Sequence, residues 1–176
     1  MAKEQDNTLK ALKTAIQMEI DGKEFYLEAS QASKNELGKK LLEQLAAEED
    51  VHRQVFEDIY KDISAKKGWP DKKIHHDGGK GLRTIFSKAL EQMDKDVSAI
   101  PTELDSVQRA MEMENKTFDF YKSHGSKAAY AAEKQFYEAL AVQEEEHYRV
   151  LLDYYEFLKN PAAYFVQKEH PSLDGG

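Results

Sequence analysis

Residues 42–63 read LEQLAAEEDVHRQVFEDIYKDI, with Leu42, Leu45, Glu49, His52, Phe56, Ile59 and Ile63 at steps that alternate three and four. That spacing predicts a helix with one face packed as a seam into a bundle core. Two titratable residues, Glu49 and His52, stand in the middle of the seam. Residues 137–158, YEALAVQEEEHYRVLLDYYEFL, repeat the pattern as Tyr137, Leu140, Glu144, His147, Leu151, Tyr154 and Leu158.

The repeat extends outward from these segments. A shift of 95 residues lays the second half of the chain on the first without a gap. Ala15 meets Ala110, Met18 meets Met113, Glu19 meets Glu114, Phe25 meets Phe120 and Tyr26 meets Tyr121. Further along, Glu49 meets Glu144, His52 meets His147, Val55 meets Val150 and Asp58 meets Asp153. A duplicated helix hairpin explains the constant register, and it implies approximate twofold symmetry.

Breakers divide the rest of the chain, which holds only 4 Pro and 9 Gly. Helical periodicity runs from about Thr8 to Ala32, and after Ser33-Lys34-Asn35 to about Lys66. Gly68-Trp69-Pro70 to Gly81 is the clearest interruption. A shorter amphipathic piece follows, with Leu82, Ile85, Phe86, Ala89, Leu90 and Met93 on one face. Pro101 opens a third long helix, where a missing N–H costs nothing. Gly125-Ser126 is read as its end, before a fourth helix that continues to about Asn160-Pro161. The expectation is an all-α four-helix bundle over residues 1–160. Two antiparallel hairpins are joined by a long crossover at about 67–101, and an irregular tail covers 161–176.

Composition narrows the function. Among 176 residues, 25 Lys and Arg face 33 Asp and Glu, a formal charge of −8, which opposes binding to nucleic acid or anionic membranes. There is no cysteine, so disulfides, thiol catalysis, Cys-ligated zinc and a built-in rubredoxin-type iron centre are excluded from this sequence. No apolar run approaches a membrane span, and the N-terminal residues lack an export signal, so the expected location is the cytoplasm.

The seams carry the chemistry. The first helix contributes Leu9, Leu12, Ile16, Glu19 and Tyr26; the third contributes Leu104, Val107, Met111, Glu114, Phe118 and Tyr121. Each of the four stripes is apolar except for a central carboxylate, with an imidazole one turn later on two of them. Four acids converging in a core repel one another and pay for desolvation, and no Lys or Arg shares their level. A pair of divalent cations resolves both problems. One Glu from each of two helices plus Glu-x-x-His from the other two is the donor set of dinuclear carboxylate bundles. The expected ligands are therefore Glu19, Glu49, His52, Glu114, Glu144 and His147, with Glu49 and Glu144 bridging. Oxygen-rich donors suit two iron ions, with manganese open. The competing reading pairs the same residues as hydrogen-bonded core groups, which leaves four buried acids without a cation. Glu48 and Glu145 fall off the stripes and are expected to be solvated.

Tyr26 and Tyr121 each follow a mid-stripe carboxylate by two turns. They are expected beside the site, as phenols that bond a ligand carboxylate or supply an electron, or as core aromatics. His75-His76 and Gly78-Gly79-Lys80-Gly81 are expected to be surface turn and connection, because the latter lacks the Ser or Thr of a phosphate loop. Tyr164, Phe165 and Val166 are apolar enough to dock on the bundle or on a second copy in a homo-oligomer.

Ala15-Ile16-Gln17-Met18-Glu19 with Phe25-Tyr26, Glu49-Asp50-Val51-His52, Glu114 with Phe120-Tyr121, and Glu144-Glu145-Glu146-His147 together resemble the rubrerythrin branch of the ferritin-like superfamily. The resemblance covers roughly residues 8–160. It implies a ferritin-like bundle with a diiron centre that reduces peroxide or dioxygen, or oxidises ferrous iron. Rubrerythrins of the peroxidase type also carry a rubredoxin domain, and a further carboxylate one turn after the third-helix ligand; the matching residue here is Thr117. Electrons would then come from a separate donor protein. Two other functions use the same residues: iron storage in a large shell, and a partner-binding module whose metals only stabilise the fold.

Overall fold

A computed structural model describes residues 2–74, 77–91 and 101–164. Five helices follow in order: α1 (Ala2–Ala32), α2 (Glu36–Ser64), α3 (Lys80–Glu91), α4 (Pro101–Lys127) and α5 (Ala131–Lys159). No strand occurs among the described residues. α1 packs along α2 and α4 along α5, each pair closed by a short turn, while α1 also meets α4 and α3 lies against α2 and α5. This is the all-α bundle of two antiparallel hairpins expected from the seams.

Local chemistry sets the helix ends. Asn35 is extended and its side chain accepts from the Gly38 amide at 2.6 Å, so it caps the first turn of α2. At the far end Lys66 takes a left-handed φ of 59°, while the Lys67 amide reaches back to the Asp62 carbonyl. Asp77 accepts from the Lys80 and Gly81 amides and starts α3. Buried Glu103, in the first turn of α4, accepts from Ser33 Oγ, from Asn35 Nδ2 at 3.0 Å and from Tyr154 Oη at 2.9 Å. One carboxylate thus ties the α1–α2 turn to α4 and α5. Lys23 and Arg53 converge on Asp50, each at 2.9 Å, and their hydrogen bonds hold its carboxyl down at about 2.

Two expectations are corrected here. Gly125-Ser126 do not end the third long helix; α4 runs through them to Lys127. Gly125 is buried, and a Cβ added there would lie 3.4 Å from Cβ of Tyr137, so its role is close approach of α4 to α5. The tail is not irregular from its start, because residues 161–164 form a helical turn. Tyr164 in that turn packs edge-on against Phe86 of α3 and Phe157 of α5. His75-His76, Met93, the side chain of Ala89, and the tail from Phe165 and Val166 onward lie outside the described residues.

The core is two apolar clusters separated by a polar layer. One holds Tyr26, Leu41, Leu42, Leu45, Val107 and Leu151 among others; the second holds Leu12, Phe56, Tyr121, Phe136 and Tyr137. On all four long helices the carboxylate of the seam falls between the segment that feeds one cluster and the segment that feeds the other. Repeat mates differ in kind: Leu41, Leu42 and Leu151 on one side correspond to Phe136, Tyr137 and Phe56 on the other. The duplication kept the polar layer and let the flanking cores diverge.

Candidate metal centre

Glu19 from α1, Glu49 and His52 from α2, Glu114 from α4, and Glu144 and His147 from α5 meet in that layer, each no more than 3% exposed. Their donor atoms form two groups. One atom each from Glu19, Glu49, His52 and Glu144 lies within 4.8 Å of the others, and the same holds for Glu49, Glu114, Glu144 and His147. Glu49 and Glu144 belong to both groups. The structure therefore brings together all six residues expected from the sequence.

The imidazoles are similarly placed. Their rings stack at 5.8 Å with 12° between planes. His52 Nδ1 stands 3.4 Å from Glu19 Oε2, 3.4 Å from Glu49 Oε2 and 3.5 Å from Glu144 Oε1. His147 Nδ1 stands 3.1 Å from Glu49 Oε1 and 3.6 Å from Glu114 Oε1. The Nε2 atoms point the other way. That of His52 meets Gln143 Oε1 at 2.6 Å, and that of His147 meets Glu48 Oε2 at 2.9 Å. Each ring is oriented by a partner behind it and presents Nδ1 to the carboxylates, the arrangement that fixes tautomer at a metal site.

Tyr26 and Tyr121 lie in the site, and their contacts cross the pseudo-twofold. Tyr26 Oη donates to Glu114 Oε1, and Tyr121 Oη donates to Glu19 Oε1. Each phenol therefore supports the carboxylate of the other half. Burial first, then the charge of the acid it contacts, pushes both hydroxyls well above their ordinary value, so they stay protonated donors.

The electrostatics of the bare donor set call for a cation. Glu19 is pushed up to about 8 by burial and then by the charge of Glu49. Glu144 rises well above the carboxylate range, through burial first and then the charges of Glu49, Glu114 and Glu19. His52 rises to about 10: burial opposes its charge, and Glu19 and Glu49 outweigh it. His147 is likewise raised, by Glu114 and by its bonds to Glu48 and Glu49, against the pull of burial. Even so, Glu19 Oε2, His52 Nδ1 and Glu144 Oε1 make no hydrogen bond, although fully buried. Buried polar atoms are rarely left so, and two carboxylate oxygens with an imidazole nitrogen at 3.4–3.5 Å fit the ligands of a cation.

Sequence reasoning missed Glu48 and Gln143. Glu48 was expected in solvent; instead its carboxylate is only 31% exposed and bonds His147 across the bundle. The available signal was the repeat itself, since Glu48 and Gln143 are mates that each precede a seam Glu by one residue. Glu145 is exposed and pairs with Arg149 at 2.6 Å, as a surface residue should. The Thr117 hydroxyl donates to the Met113 carbonyl of its own helix at 3.0 Å. Gly78 and Gly79 form a turn with φ of 69° and 67° that leads into α3. A cavity of about 490 Å³ at the end of the bundle, lined by Trp69, His124, Tyr130 and Glu133, includes none of the six residues.

No helix among the described residues is long and apolar enough to cross a membrane. No curated protein matches the chain, and no solved structure does. A family model described as Rubrerythrin matches residues 10–155, which include all six converging residues and both tyrosines. With a ferritin-like bundle, a buried Glu/His cluster fitted to metal and a family match over most of its length, the chain belongs to the rubrerythrin family.

Proposed function

We propose that this chain is a diiron-carboxylate oxidoreductase that reduces peroxide or dioxygen in the bundle core, or oxidises ferrous iron there. A separate protein supplies electrons when the oxidant alone is substrate. The observation that carries this reading is the pair of four-residue donor groups that share Glu49 and Glu144 and leave three buried atoms unpartnered. Four carboxylates balance two divalent ions, and an oxygen-rich set with two imidazoles suits iron, with manganese the alternative.

Two ferrous ions held by these six residues would supply the electrons and the Lewis acidity for reducing an O–O bond. The chain's own residues do the rest. Glu49 and Glu144, common to both donor groups, would help hold both ions, with Glu19 and His52 completing one group and Glu114 and His147 the other. Tyr121 and Tyr26 fix the free rotation of Glu19 and Glu114 through their hydroxyls. Apolar clusters on both sides keep bulk water from the layer and strengthen every charge interaction within it. The Thr117 hydroxyl is engaged by the Met113 carbonyl of its own helix, so the residues that would hold the ions are the four carboxylates and two imidazoles.

The test is oxidation of reduced, iron-loaded protein by hydrogen peroxide and by dioxygen, followed optically in a rapid-mixing instrument. Wild-type protein is expected to consume one oxidant at least tenfold faster than free ferrous ion, a lowering of the barrier by about 1.4 kcal/mol. E49A and E144A are expected to lose that advantage. Wild-type rates no faster than free ferrous ion with either oxidant would overturn the proposal.

A further inference from the structure

The groups behind the two histidines break the symmetry of the site. His147 Nε2 meets a carboxylate, Glu48, at 2.9 Å; His52 Nε2 meets an amide oxygen, Gln143, at 2.6 Å. Glu48 and Gln143 are repeat mates, so the same place in the fold holds an anion on one side and a neutral group on the other. The support behind them differs as well. Gln44 Nε2 donates to Glu48 Oε1 at 3.0 Å, whereas the mate of Gln44 is Ala139, which has nothing to donate. Gln143 Nε2 is buried and makes no hydrogen bond.

These contacts act on the metal through the imidazole. An N–H donated to an anion is roughly twice as strong as one donated to a neutral oxygen, and it places more negative charge on the opposite ring nitrogen. Nδ1 of His147 is therefore the better donor. Gln143 returns no comparable push to His52, and its amide remains underused. We infer that the two metal positions are unequal, and that the position of Glu114 and His147 takes its ion before the position of Glu19 and His52, with Glu48 and Gln143 as the positioning residues that set the order. The inference rests on the metal-binding reading above and adds which half fills first.

The swap variant E48Q/Q143E tests it, because both changes are isosteric and leave all six donors in place. Zinc(II) serves as a redox-inert, diamagnetic probe, added in substoichiometric steps to metal-free protein with 15N-labelled imidazoles. In wild-type protein the His147 ring signals are expected to shift with the first equivalent and those of His52 with the second. In E48Q alone, chelator competition is expected to show the tighter constant weakened by about 10–100-fold. In the swap variant the order of filling is expected to reverse, with the folding of E48Q, Q143E and the swap variant checked by circular dichroism. Simultaneous filling in wild type, or an order that the swap leaves unchanged, would overturn this inference while two-ion binding stands. Absence of zinc uptake would instead overturn the metal site, and this inference with it.

Discussion

Tyr26 and Tyr121 show how much of this site is decided by single atoms. Each hydroxyl supplies the hydrogen bond that a buried carboxylate of the other half needs. Tyr121→Phe is expected to leave Glu19 Oε1 without its donor and to cost about 1–3 kcal/mol in the metal-free protein, read by denaturant unfolding. A change within experimental error would show that the bond contributes nothing net. At this scale the sequence was readable wherever a contact follows from position on one helix. Glu49 with His52, and Glu144 with His147, share a face because they are three apart. It was unreadable where a contact depends on how two helices approach. Glu48 sits off its own seam, and only its side chain's reach from α2 to α5 brings it to His147. Nor does one-helix geometry reveal that each tyrosine supports the partner half rather than its own.

At the scale of elements, the turn between α1 and α2 is where backbone and side chains leave no room. A Cβ on Gly38 would collide with Tyr154 Oη and Ser33 Oγ, and would press on Glu103 Oε1 at 3.0 Å. Those three groups form the hydrogen-bonded knot that joins the turn to α4 and α5. Gly38→Ala is expected to destabilise the fold by about 1–3 kcal/mol through overpacking, measured by thermal or chemical unfolding. No loss would mean the knot gives way freely. The long helices were legible because a period of three and four persists over six or seven turns. Gly125-Ser126 misled because glycine in a helix costs only about 1 kcal/mol relative to alanine, which packing readily outweighs. Here the packing is that of α4 on Tyr137. The buried role of Glu103 had no signal, because its partners come from two segments distant in sequence, the α1–α2 turn and α5.

For the whole molecule, one polar layer between two apolar clusters makes stability depend on what fills the layer. In metal-free protein Glu19, unfolded near 4.5, titrates at about 8, and His52, unfolded near 6.5, at about 10. Glu144 and His147 shift the same way. All four bind protons more tightly when folded, so their contribution is full below the unfolded values and is lost as pH rises through the folded ones. Metal-free protein is expected to lose stability from about pH 5 to about pH 10, while metal affinity rises over the same span because binding displaces those protons. Unfolding curves of metal-free and manganese-loaded protein across that range check both. Metal-free stability that climbs with pH would contradict the account.

The most direct measurement is anomalous diffraction from crystals grown with ferrous or manganous ion. Two peaks are expected in the polar layer, one ringed by Glu19, Glu49, His52 and Glu144 and the other by Glu49, Glu114, Glu144 and His147. A core with no peak, in crystals where the metal is present at other places, would contradict that expectation.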